Sequence, residues 1–341
     1  MVTALGRVLR GPLVPSVFVA VILAGVTPGT SQGGGTVVPL DLSGRRAMVE
    51  VTVNGTGPHT FVVASTFTGV AIERSFAVEL GLVEAAPDSE SVWDHPAVDV
   101  TLDWIQLGDL TFGKVPAEAY GDEMQFLGRN PRGTLGLELF RDHLVTYDLA
   151  VGEFRLSQGA LPEPNDDDVF AYEKHGVQDA TEPELTPVIP ATVAGKQMMI
   201  GLHTGFIGSL QLNSSLMDEL PLSGEAGRIG NIGTDKGEAE LLGTSLDGDF
   251  VVAGQTFASP PVYFSDLYTN PSLGSGGLAD FVLEIDQENG RLRLTRDESR
   301  EAVMFENAAK LQNLSGEDVD LRAAFNEDPD KIRMVLILSP T

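Results

Sequence analysis

Five histidines, His59, His95, His143, His175 and His203, are the side chains of this sequence that titrate nearest neutral pH and so could move protons. Their separations fit no metal-ligand spacing, so neither a metal nor a cofactor is implied. Acids are abundant but scattered. Asp99 and Asp103 fall on one face of an alternating strand, with Asp94 just before it, and such a face is normally the wet one. Asp166-Asp167-Asp168 reads as a solvated loop. Asp148 and Asp286 each precede a glycine-containing turn, where aspartate caps its own backbone. Gly230-Asn-Ile-Gly233 lacks the Lys-Ser/Thr that would make it a phosphate loop. Asn54, Asn213 and Asn313 stand in glycosylation-like triplets, read as chance. Cysteine is absent, which excludes disulfides, thiolate metal sites and a cysteine nucleophile.

The elements that must position such residues are β-rich. The chain has 341 residues, 42% of them hydrophobic, with 38 Gly, 20 Pro and recurrent short Val/Thr runs. That is enough apolar surface for a real core, broken by many turns. The formal charge of −27, from 49 acids and 22 bases, repels phosphate backbones and excludes nucleic acid as a partner. Residues 1–31 read as a signal peptide. Arg7 and Arg10 precede an apolar stretch from Leu13 to Val26, then small residues from Gly29 to Ser31. That stretch is short against the ~20 residues of a membrane span. The expected address is therefore the bacterial periplasm or the medium, with no membrane association once the leader is removed.

An internal duplication organises the rest. Thr60-Phe-Val-Val-Ala-Ser-Thr-Phe-Thr-Gly69 and the stretch to Leu82 match Met199-Ile-Gly-Leu-His-Thr-Gly-Phe-Ile-Gly208 and the stretch to Leu222. Each reads as strand, tight turn, strand and short helix. Ala64 falls opposite His203, Phe67 opposite Phe206 and Gly69 opposite Gly208. Leu107–Phe112 and Val252–Phe257 repeat a strand–turn–strand, and each half closes with a hairpin, at 145–156 and 283–294. The expected units are a lobe at 36–158, an acidic linker at 159–186, a second lobe at 187–296 and a tail at 297–341.

These segments, with Gly133-Thr-Leu-Gly-Leu-Glu-Leu-Phe140 before Val145-Thr-Tyr-Asp148, resemble the bacterial two-lobed retropepsin-like aspartic peptidases over about Val38 to Thr295. The resemblance implies a mostly β, two-lobed fold, each lobe a small closed barrel-like sheet with a short helix. It also implies that each lobe contributes an Asp-Thr/Ser-Gly turn, whose two carboxylates share a proton and activate water. This sequence departs there. The turns read Ala64-Ser65-Thr66 and His203-Thr204-Gly205, so both aspartates are replaced. Ser65 and Thr204 match the hydroxyls that hold such turns together across the lobes. Thr66 stands in place of a glycine and is expected to reshape the first turn.

Three functions follow as readings. One is a catalytically inactive pseudo-peptidase, a monomer, whose cleft holds an extended peptide or protein segment. Another is a working hydrolase using His203 with Ser65 or a displaced carboxylate. A third is a structural envelope protein. The tail, with Leu314 to Phe325 and Lys331 to Leu338, looks like the last helix and strand of a PDZ domain, which often follows the second lobe in related peptidases. It is too short for a whole PDZ domain, and is read as a truncated remnant.

Overall fold

Alternating apolar residues and left-handed turn residues fold this chain into hairpins. A computed structural model describes residues 35–42, 46–84, 97–120, 131–165, 167–171, 173–175, 186–206, 208–234, 237–268 and 270–296. The expected helices and strand of the tail lie outside these residues, as do Asp94, His95 and the proposed leader. In the first half the strands are β1 (Thr36–Pro39), β2 (Met48–Val53), β3 (Thr56–Ala64) and β4 (Val70–Glu73), then helix α1 (Arg74–Glu79). There follow β5 (Val98–Leu107), β6 (Leu110–Tyr120), β7 (Gly133–Gly136), a 3-10 turn at Leu137–Phe140, β8 (Leu144–Asp148) and β9 (Glu153–Ser157). Strands β2-β3-β7-β4-β6-β5 pair in that order into a closed barrel. Its interior is filled by Phe61, Val63, Ile72, Leu102, Ile105 and Leu135, all fully buried. Asp99 and Asp103 point outward from β5, and Asp103 pairs with Lys114 at 2.6 Å.

The stretch read as a linker supplies β10 (Val169–Ala171) and β11 (Glu173–His175). Asn165 Oδ1 accepts from the backbone N–H groups of Asp167, Asp168 and Val169, so this acidic loop is held by an asparagine turn. The second half continues with β12 (Thr186–Val193), β13 (Lys196–His203), β14 (Leu210–Leu212), β15 (Gly227–Thr234), β16 (Gly237–Ser245), β17 (Asp249–Val252), β18 (Gln255–Ala258), β19 (Pro261–Phe264), β20 (Ser272–Gly274), β21 (Phe281–Asp286) and β22 (Arg291–Arg296).

Its ring differs from the first. Strand pairing gives a ten-stranded sheet rather than one continuous closed barrel. The long hairpin equivalent to β5–β6 is bent into β16–β19 and β17–β18. Leu246 N to Pro260 O (3.0 Å) and Ser259 N to Gly248 O (3.1 Å) carry the pairing across the bend. Gly248 (φ 157°) and Ser259 (φ 48°) make the bend. Because β12 pairs with β17, and β19 with β14, the barrel-like sheet expected of the second lobe closes through this corner. The short helix expected near Glu219 is instead a 3-10 turn at Ser214–Leu216, capped by Asn213.

The two closing hairpins do not stay in their own halves. They join as β1-β9-β8-β21-β22-β10, one six-stranded sheet. At its centre β8 runs antiparallel to β21, with Tyr147 opposite Leu283 and Val145 opposite Ile285, all fully buried. Asp148 and Asp286 start turns as expected. Asp148 Oδ1 accepts from Val151 N, and Asp286 Oδ1 accepts from Asn289 N. The molecule is therefore mostly β and two-lobed, with a shared sheet joining the lobes. Among the described residues no helix is long and apolar enough to cross a membrane.

Candidate functional site

Strands β3 and β13 each end on a residue of interest beside a parallel strand. Ala64 lies opposite Gly136 of β7, and His203 opposite Gly274 of β20. After each, the chain folds back over that glycine. A Cβ on Gly136 would sit 2.3 Å from Phe67 O, and one on Gly274 would sit 2.7 Å from Gly208 O, so neither position admits a side chain. The fold-back bonds match: Leu137 N donates to Phe67 O (2.9 Å) and Ser275 N to Phe206 O (2.8 Å). The halves then differ by one residue. Val70 pairs with Leu135 but Leu210 with Leu273, so the second turn is one residue longer after Phe206, and Ser209 rather than the expected Gly208 takes the place of Gly69: Gly136 N donates to Gly69 O and Gly274 N to Ser209 O.

The two turns meet. Ser65 N donates to Thr204 Oγ1 (2.9 Å), and Thr204 N donates to Ser65 Oγ (3.0 Å). Each hydroxyl then donates across the boundary, Ser65 Oγ to Leu202 O (2.7 Å) and Thr204 Oγ1 to Val63 O (3.0 Å). Both side chains are 0% exposed. The circuit satisfies every donor it buries and holds the two strand ends in one geometry.

On this frame the two equivalent strand ends, Ala64 and His203, carry no acid. The Ala64 side chain, 4% exposed, packs with Met48, Val62 and Phe67 in a small apolar cluster. It also presses on the second turn, since a Cβ on Gly205 would lie 3.0 Å from the Ala64 Cβ. His203 is half-buried, its ring edge-on to Phe206 at 5.5 Å, with Phe206 in turn against Tyr268. Burial first, then the neighbouring Arg46 guanidinium, pushes the His203 pKa down to about 4, against a raising contribution from its own backbone. The imidazole is therefore neutral at physiological pH. Thr66 Oγ1 lies 3.2 Å from its Nε2 and 3.4 Å from its Nδ1. What Thr66 brings to the first turn is thus a hydroxyl against the opposite ring, while the fold-back bonding of the turn is kept.

The contacts bring Ala64, Ser65, Thr66, His203, Thr204 and Gly205 together, and beside them stands Arg46, which sequence reasoning missed. Ala47 fixes it there: Ala47 N donates to Thr204 O (3.4 Å), and Val63 N donates to Ala47 O (2.9 Å). Burial pushes the Arg46 pKa down to about 10, which leaves it cationic. The available signal was a basic residue two positions before β2 in a strongly acidic chain. Ser65 is not presented as a nucleophile to His203, because its proton goes to Leu202 O. Of the other histidines, His59 stacks edge-on to Phe76 at 4.6 Å and His143 lies 6.1 Å from Phe112, both away from the turns.

No family profile and no curated protein matches the chain. Among solved structures, it is similar to a retropepsin-like aspartic protease from Rickettsia conorii, at 17% identity and a TM-score of 0.28, covering 37% of this chain and 91% of that one.

Proposed function

We propose that this is an exported pseudo-peptidase: a two-lobed aspartic-peptidase-like protein that holds extended peptide segments without cutting them. The observation that carries this reading is the locked pair of turns, in which Ser65 and Thr204 keep a rigid geometry while the positions for the shared-proton carboxylates hold a methyl and a neutral imidazole. Aspartic catalysis needs one carboxylate to take a proton from water while the other holds one. Ala64 can do neither. His203 has no second acid to share a proton with, and the charge that acts on it is the cation of Arg46. The hydrolase alternative using Ser65 is opposed by the hydrogen bonds of that hydroxyl, which leave it no lone proton for His203 to remove. A strand-lined groove can still bind a peptide by backbone hydrogen bonds, because that affinity does not depend on the dyad.

The unit boundaries belong to the same proposal: a leader at 1–31, lobes at 36–158 and 187–296, the linker at 159–186, and a tail at 297–341 derived from a PDZ domain. So do a periplasmic or secreted location and a monomeric state. The test is native mass spectrometry of the purified protein with a library of extended peptides. Peptides recovered bound and uncut support the proposal. Capture of none above background overturns the binding half of it, and release of cleavage products overturns the other half.

A further inference from the structure

We propose that the floor of the cleft is an oxyanion site, built by Arg46, Thr66 and His203, that takes a carboxylate of the bound peptide; this rests on the peptide-binding reading above. The first observation is placement. The backbone bonds of Ala47 to Thr204 and Val63 put Arg46 beside both turns, next to the His203 ring that Thr66 touches from the other lobe. The second is an unanswered charge. Arg46 Nε is buried without a hydrogen-bond partner, and among the described residues Arg46 forms no ion pair. Among the other partly buried arginines, Arg132 pairs with Glu73 and Glu79, Arg291 with Glu163, and Arg293 with Glu284 and Asp168, while Arg74, at the start of α1, shares with Arg46 a buried Nε without a partner. What sets Arg46 apart is that its unanswered charge acts on the His203 ring beside the two turns, where an outside anion would answer it.

The third observation is chemical fit. The guanidinium offers a planar pair of donors that matches a carboxylate, and the hydrogen-bonded Thr66–His203 pair has one more to give, the Thr66 O–H or the ring N–H according to the tautomer. None of the site residues carries a negative charge. The electrical character of the cleft is thereby reversed: where an acid dyad would repel an anionic peptide group, this floor attracts it. A side-chain carboxylate and a free C-terminus share this chemistry.

The test compares binding of matched extended peptides by fluorescence anisotropy: a central Glu against a central Gln, each with a free or an amidated C-terminus. A parallel arm titrates acetate while following the His203 ring resonances, assigned with His203→Gln. The expected result is that one carboxylate-bearing peptide binds about tenfold tighter than its neutral twin. That preference vanishes in Arg46→Gln and survives in part in Arg46→Lys, which keeps the charge but not the fork. Whichever carboxylate carries the gain identifies the source. Charged and neutral peptides binding equally overturns the oxyanion site and leaves peptide binding standing. No peptide binding, together with a saturable acetate shift that Arg46→Gln removes, supports the site and overturns the peptide reading. Absence of both effects overturns both.

Discussion

Ser65 and Thr204 are the two residues on which the geometry of the site depends. Ser65→Ala leaves Thr204 N without its acceptor and Leu202 O without its donor in a fully buried setting, and is expected to cost about 2–4 kcal/mol. Thr204→Ala does the mirror-image damage, and the double variant loses less than the sum of the two, because both substitutions break one circuit. Chemical denaturation of the four proteins measures this. His203 makes a separate prediction. Its folded pKa of about 4 lies below the ordinary 6.5. Between those values the unfolded chain accepts a proton that the folded protein refuses. Its contribution to stability is therefore full above pH 6.5 and is lost as the pH falls towards 4, to a depth of about 3 kcal/mol. The many carboxylates also titrate at low pH, so the comparison is with His203→Gln, whose stability should fall less across that window.

Hairpins and turns are the scale at which the duplication matters most. Asn54 (φ 49°) and Gly55 make the turn between β2 and β3, and Asn54 Oδ1 accepts from Trp104 N at 3.0 Å. The equivalent turn in the second half is Ala194-Gly195, where Ala194 holds the same left-handed conformation (φ 47°) and its N–H donates to Asp249 O. Ala194→Asn is expected to relieve that strain and add the missing bond to Asp249 N, stabilising the protein by about 1 kcal/mol in a thermal melt. The duplication was legible in the sequence because such turns demand particular residues, Gly above all, at fixed offsets. The equivalence of Ala64 and His203, each at a strand end opposite a glycine, followed from it. The extra residue of the second turn, which puts Ser209 in the place of Gly69, and the broken hairpin of the second half were not legible, since a bend at Gly248 and Ser259 changes pairing without changing the apolar pattern. Arg46 was missed for a related reason: its role comes from a contact with the other half of the chain, which a basic residue ahead of a strand does not by itself announce.

For the whole molecule, the shared sheet decides behaviour. The closing hairpins were legible as hairpins, but their side-by-side pairing through β8 and β21 is a long-range contact that periodicity cannot show. Because this sheet draws strands from both halves, the lobes are expected to unfold in one cooperative transition. Tyr147, fully buried at the β8–β21 seam and packed edge-on to Phe154 at 5.0 Å, reports on it. Tyr147→Ala should cost about 3–5 kcal/mol and lower hydrogen-exchange protection in both barrels together, whereas independent lobes would lose it in one. The central claim, a locked frame without its acids, is tested most directly by incubating the purified protein with a broad peptide library from about pH 3 to 8 and reading every new terminus by mass spectrometry. The account predicts no cleavage above a protein-free control at any pH. Cleavage that scales with protein and disappears in His203→Ala would contradict it.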